Sequence, residues 1–215
     1  MIQNINPSLL GGLYAITDSH LIPKDKFINT VEQAIIGGAS VVQYRDKTHD
    51  YQRRFREALA LRKLCQHYKI LLIINDDVEL AEKVGANGVH IGQDDASLKT
   101  ARAVLGEQAI IGVSCYNQFV LAQAAVEAGA SYVAFGRFFS SHIKPEAVQA
   151  NVDLLHEARE KLNCPVVAIG GITPDNGAEL LAAGADSLAV IQGLFGQADV
   201  MVAAQRYARL FQKNV

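Results

Sequence analysis

The sequence is poor in cysteine, in charge of one sign and in long apolar runs, and each shortage narrows what the protein does. Its cysteines are Cys65, Cys115 and Cys164, an odd number set far apart, with no CxxC pair for zinc and no disulfide framework. A reducing cytoplasm is the expected location. Lys and Arg number 20 against 22 Asp and Glu, so the net charge of −2 supplies no summed positive field for nucleic acid or an anionic membrane. Affinity for phosphate must then be local. Apolar runs such as Ile70 to Ile74 fall far short of the roughly 20 residues of a membrane span, and no charged-then-apolar leader opens the sequence. A soluble, unprocessed protein is expected, with homo-oligomerisation left open.

What is present is apolar and periodic. Half of the 215 residues are hydrophobic, enough for the core of one α/β domain, and no linker or low-complexity stretch divides the chain. Short apolar runs alternate with helical-period segments: Leu13 to Thr17, Ser40 to Arg45, Ile70 to Asn75, Gly88 to Ile91, Ile110 to Ser114, Tyr132 to Phe135, Val166 to Ile169 and Ser187 to Val190. Continuous apolar character marks parallel strands buried on both faces. Gly38-Ala39-Ser40, Gly85-Ala86-Asn87, Gly129-Ala130-Ser131 and Gly184-Ala185-Asp186 repeat one helix-ending turn ahead of a strand. Asp77, and Thr173-Pro174 before Asp175, read as helix starts. Eight βα units in this length predict a single (β/α)₈ TIM barrel over residues 1–215, in preference to an open doubly wound sheet.

Chemistry in such barrels sits at the C-terminal strand ends, and the uncommon polar residues gather there. Strand two ends in Gln43-Tyr44-Arg45-Asp46-Lys47, strand three in Asn75-Asp76-Asp77, strand four in His90-Ile91-Gly92-Gln93-Asp94-Asp95 and strand five in Ser114. The sixth is followed by Gly136-Arg137 and the loop Ser140 to Pro145, the seventh by Gly170-Gly171 and the eighth by Gln192-Gly193. Arg45 and Lys47, two residues apart, leave the strand on one side and form a fork and a point charge for one anion. The bland alternative pairs them with Asp46 or Asp50 at the surface. Asp76 and Asp95 follow neighbouring strands, and Mg²⁺ commonly takes one or two carboxylates. Asp77 reads first as a helix cap, and Asp95, ahead of Ala96-Ser97-Leu98, has the same alternative. Acids with Arg45, Lys47 and Lys144 on one rim describe a site for a metal-bridged pyrophosphate, and the glycine pairs after strands seven and eight a second anion pocket. His67, His156, His20 and His49 lack metal-ligand spacing, His142 stays a candidate proton carrier, and Cys115 reads as a packed thiol.

Tyr14-Ala15-Ile16-Thr17-Asp18, the strand-two, strand-three and strand-four endings just quoted, Gly112-Val113-Ser114 and Ala168-Ile169-Gly170-Gly171-Ile172 together resemble the thiamine-phosphate synthase family over nearly the whole chain. The resemblance implies a transferase joining a pyrimidine pyrophosphate to a thiazole phosphate with loss of pyrophosphate, both small molecules, with Mg²⁺ as cofactor. It implies that Gln43, Arg45, Lys47, Asn75, Ser114 and Lys144 bind the pyrimidine pyrophosphate, with Tyr44 and Asp46 counted in the same strand-end segment. Asp76 and Asp95 would hold the metal, and Ser141, Gly171, Ile191 and Gln192 would contact the thiazole phosphate, with Ile143 alongside. Arg45, Lys47 and Lys144 would stabilise the leaving group, and no general base is assigned. The chain departs from the family pattern at Ile143, where a threonine is usual, and at Ser140, where proline is common. Rival readings are an isomerase of thiazole phosphate, a phosphosugar isomerase or lyase, and a barrel that only binds.

Overall fold

A computed structural model of the chain describes residues 10–140 and 149–212. Eight parallel strands, β1 (Gly12–Ile16), β2 (Ala39–Tyr44), β3 (Leu71–Asn75), β4 (Gly88–Ile91), β5 (Ile110–Ser114), β6 (Tyr132–Phe135), β7 (Val166–Ile169) and β8 (Ser187–Val190), close into a barrel in sequence order, β8 pairing with β1. The expected strands match these within a residue at each end. Between them run α1 (Phe27–Ile36), α2 (Tyr51–Tyr68), α3 (Val78–Val84), α4 (Leu98–Leu105), α5 (Phe119–Glu127), α6 (Asp153–Lys161) and α7 (Gly177–Ala183). A four-residue helix, α8 (Gln192–Phe195), follows β8, and α9 (Val200–Gln212) packs beside α1 to complete the outer ring. No helix among the described residues is long and apolar enough to cross a membrane.

Strand residues alternate between two cores, because successive side chains leave opposite faces. Tyr14, Ile16, Val41, Leu71, Ile73, Ile110, Tyr132, Ala134, Val167 and Ala189 fill the barrel itself. Leu13, Ala15, Val42, Tyr44, Leu72, Ile74, Val89 and Ile111 meet the helices outside. Both faces are therefore apolar, which explains the unbroken hydrophobic strands.

The helix ends follow their residues. Gly85 and Gly184 close α3 and α7 in the left-handed region, at φ +64° and +119°, a conformation that costs a residue with a Cβ. Asp77 caps α3 by accepting the Leu80 N–H at 2.8 Å. The α7 start is later than expected, since Asn176 Oδ1 takes the Thr173 N–H at 2.8 Å and holds residues 174–176 in a turn. The cap of α4 is Ser97, which accepts the Thr100 N–H, so Asp95 is not spent there.

Candidate active site

The C-terminal strand ends surround a cavity of about 450 Å³. Its wall follows from the alternation just described: Gln43 and Arg45 of the β2 end, Asn75, His90, Ser114, Ile169 and Ile191 all occupy inward positions. The same alternation corrects two expectations. Tyr44 and Asp46 point away from the cavity into the helix layer, where Tyr44 donates to Glu57 at 2.8 Å and Asp46 pairs with Arg53. Adjacency in sequence had grouped them with Gln43, Arg45 and Lys47, and strand period two separates them.

The floor is a buried polar chain. Gln43 Nε2 donates to the Tyr14 hydroxyl at 2.9 Å, that hydroxyl lies 2.8 Å from the Tyr132 hydroxyl, and His90 Nδ1 lies 2.9 Å from Tyr132. His90 Nε2 then meets Ser114 Oγ at 2.8 Å. Burial pushes the phenols of Tyr14 and Tyr132 above their ordinary range and lowers the His90 pKa from 6.5 to about 4, against a smaller opposing pull from Asp95. A neutral imidazole offers one donor and one acceptor, which suits its place between two hydroxyls. Sequence reading missed Tyr14 and Tyr132 and assigned no role to His90. The available signal was a polar tip at an inward position in an otherwise apolar strand.

This depressed value has a consequence for stability. Between about pH 6.5 and about pH 4 the unfolded chain holds a proton on His90 that the folded chain does not, so stability falls as pH drops through that window. The full shift corresponds to about 3 kcal/mol at the acid end. Urea unfolding at neutral pH and near the acid end of the window should show a smaller difference in His90→Gln than in the parent chain. Equal differences in the two would disprove the burial account of His90.

Acids and cations converge on the rim of the cavity. Thr17 Oγ1 accepts the Arg45 N–H at 2.9 Å, fixing the strand end, while the Arg45 guanidinium pairs with Asp18 at 3.0 Å. Lys47 pairs with Asp76. Neither cation is bound to Asp46 or Asp50; Asp50 instead caps α2 through the Arg53 N–H at 3.0 Å. Asn75 Nδ2 also donates to Asp76, at 2.6 Å. Burial raises the Asp76 carboxyl pKa, Lys47 opposes it, and the neighbouring Asp95 raises it again. Asp95 accepts the Gly92 N–H at 2.7 Å, which turns its carboxylate toward that same corner.

Two carboxylates side by side, with hard oxygen donors and a cation at hand, fit a Mg²⁺ ion that fills its other positions with water and phosphate oxygens. Among the described residues no group of three or more His, Cys, Asp or Glu forms a cage for a metal, so an ion here would depend on its ligand's oxygens. Across the cavity, Gly170 and Gly171 turn the chain at φ +106° and +64°, and with Ile191, Gln192 and Gly193 line the wall beside α8. A Cβ on Gly171 would lie 2.4 Å from the Ser140 carbonyl oxygen, so the backbone runs close at that point. Ser141, Ile143 and Lys144, with His142, lie outside the described residues.

A (β/α)₈ barrel with a carboxylate pair and two cations on one side of its C-terminal rim, and glycine-rich turns on the opposite side of the same rim, is the class that fold and site define. The chain matches the family described as thiamine monophosphate synthase over residues 13–194. It is 53% identical to a thiamine-phosphate synthase of Nitrosococcus oceani, covering 95% of this chain and 94% of that one. It is 51% identical to the Marinobacter nauticus enzyme of the same name, over 94% and 92%. Among solved structures, a thiamine phosphate pyrophosphorylase from Pyrococcus furiosus superposes with a TM-score of 0.87 at 31% identity, covering 97% of this chain and 98% of the other. The chain belongs to the thiamine monophosphate synthase family.

Proposed function

We propose that this protein condenses 4-amino-2-methyl-5-(diphosphomethyl)pyrimidine with 4-methyl-5-(2-phosphoethyl)thiazole, giving thiamine phosphate and pyrophosphate, with residues 1–215 acting as one catalytic domain. The family and the near-complete match to named synthases support the reaction. The observation that carries the site is the meeting of Asp76, Asp95 and Lys47 next to Asn75, which with Arg45 lines the cavity.

The thiazole nitrogen attacks the methylene carbon while the carbon–oxygen bond to the diphosphate breaks, and the bond electrons leave on the diphosphate. Asp76 and Asp95 would hold a Mg²⁺ ion, which would supply positive charge to the leaving diphosphate. Arg45 and Lys47 aim fixed positive charge at the oxygens where negative charge grows, and the family resemblance gives the same role to Lys144, outside the described residues. Asn75, Ser114 and Gln43 line the pyrimidine side, and the buried Tyr14–Tyr132–His90 chain below them holds Gln43 and Ser114 in place. Gly171, Ile191 and Gln192 take the thiazole phosphate on the far wall, and the family resemblance adds Ser141 and Ile143, which lie outside the described residues. The attacking nitrogen bears no proton, so no general base is required. The cavity's apolar wall, with Ile16, Val167 and Ile169, limits water at a carbon that becomes electron-poor. Both substrates are soluble phosphate esters, which suits a cytoplasmic enzyme without a macromolecular partner.

Pyrophosphate release, measured with both substrates, with each alone, and with or without Mg²⁺, tests the reading. Release should require all three components. Release from the pyrimidine ester alone would mark a hydrolase, and conversion of the thiazole phosphate alone an isomerase.

A further inference from the structure

Two arginines that do not face the cavity hold the segments that do. Arg53 and Arg54 are adjacent near the start of α2, so their side chains leave the helix about 100° apart. Arg53 turns toward β2, where it pairs with Asp46 and donates to Thr48 Oγ1 at 2.9 Å. Arg54 turns toward β3 and pairs with Asp77 at 2.6 Å. Asp46 stands between Arg45 and Lys47, and Asp77 directly follows Asp76.

We infer that Arg53 and Arg54 are positioning residues: they fasten the Lys47 loop and the Asp76 turn to one helix end and so set the spacing of the metal and diphosphate contacts. The inference rests on the site reading given above. Asp46 is nearly sealed, its side chain 1% exposed, and binds the loop on two sides, accepting the Thr48 N–H at 2.8 Å as well as Arg53. Burial pushes the Asp46 carboxyl upward, yet the Thr48 N–H and Arg53 hold it below the usual range, so the pair stays ionised.

Asp76 depends on its neighbour in the same way. It sits at φ +62°, in the left-handed region where a residue with a side chain costs on the order of 1 kcal/mol or more. Backbone bonds brace it: its own N–H donates to the His90 carbonyl at 2.8 Å, and the Asp77 N–H to the Asn75 carbonyl at 2.8 Å. Asp77 then caps α3 and binds Arg54, so the strained residue is clamped from its C-terminal side. The buried Nε of Arg53 lies 3.7 Å from Glu57 Oε1, within the same i,i+4 pair of helix residues, so the guanidinium bridges the helix to the Asp46 segment.

Groups that orient metal ligands typically change affinity by about 10–100-fold when removed. Isothermal titration of Mg²⁺ with inorganic pyrophosphate into the full-length protein should therefore show about a tenfold loss of affinity in Arg53→Met and in Arg54→Met. In steady-state assays the half-saturating Mg²⁺ and the KM for the pyrimidine ester should rise similarly. The KM for the thiazole phosphate should stay close to that of the parent, while kcat at saturation should fall, though by less than in Arg45→Ala or Asp95→Ala. Arg54→Lys, which keeps the charge at the less buried pair, should recover most of the loss. Pyrophosphate affinity equal to that of the parent in folded Arg54→Met, whatever its melting temperature, would overturn the inference. Should Arg53→Met not fold, the two Arg54 variants decide the matter. Asp76→Asn and Asp95→Asn run in parallel: if they too bind Mg²⁺ and pyrophosphate normally, the site reading itself fails, whereas loss in these two alone removes only the role of the arginines.

Discussion

Arg45→Ala and Asp95→Ala should each lose about 10²-fold or more in kcat at saturating Mg²⁺ and substrates while remaining folded. The argument is electrostatic. Breaking the carbon–oxygen bond concentrates charge on the diphosphate, and groups already aimed at that charge need no reorganisation when it develops. Arg45 is aimed before any ligand arrives, because Thr17 holds its backbone and Asp18 its guanidinium. Removing Arg45 also leaves the Asp18 carboxylate without its cation, although Asp18 still accepts the His20 N–H at 2.9 Å. The stability cost, about 1–3 kcal/mol, should leave a folded protein. Asp95 accepts the Gly92 N–H and otherwise crowds the Asp76 carboxyl, whose pKa it raises, so its removal costs less in stability than in turnover. Rates of product formation, read beside thermal unfolding of the same preparations, separate the two effects. Near-parental synthesis by both variants would remove the assigned site.

The second large effect is structural and reaches the floor of the cavity. Gly112 lies on β5 against the Tyr132 ring, and a Cβ there would stand 1.9 Å from Tyr132 Cζ and 2.4 Å from its hydroxyl oxygen. The ring cannot retreat freely, since its hydroxyl is bonded to Tyr14 and His90 and it stacks on the His90 imidazole with centroids 5.6 Å apart. Gly112→Ala should cost about 3 kcal/mol, at the upper end of overpacking penalties, and lower the melting temperature by roughly 6–12 °C for a chain of this size. Activity should fall with it, because Ser114 and Gln43 are positioned through that chain. The cause is checked in a Tyr132→Leu background, where the obstructing ring is gone and the added methyl should cost under about 1 kcal/mol. An equal penalty in both backgrounds would show that the tyrosine is not what the methyl meets.

Much of the barrel was legible in the residues. Strands buried on both faces read as continuous apolar runs, and Gly85 and Gly184 mark helix ends because the left-handed turn there suits them. The expected positions coincide with the cavity wall where chemistry and strand parity agree, as at Gln43, Arg45, Asn75 and Ser114, all of which line it. Site residues were misread where neighbours in sequence were taken as neighbours in space, as at Tyr44 and Asp46. Asp95 had two local readings, cap or ligand, and only the α4 start at Ser97 separates them.

By itself the sequence determined the eight strands and their alternation with helices, the strand ends where charge collects, and the family. These are local properties: hydrophobic period, turn chemistry and short motifs act over a few residues. Only the closed barrel decided which polar groups meet. Tyr14 and Tyr132 are 118 residues apart yet share a hydrogen bond, and Lys47 finds Asp76 rather than the adjacent Asp46. Barrel closure and the alternation of side chains convert distance along the chain into contact, and no local rule encodes that result.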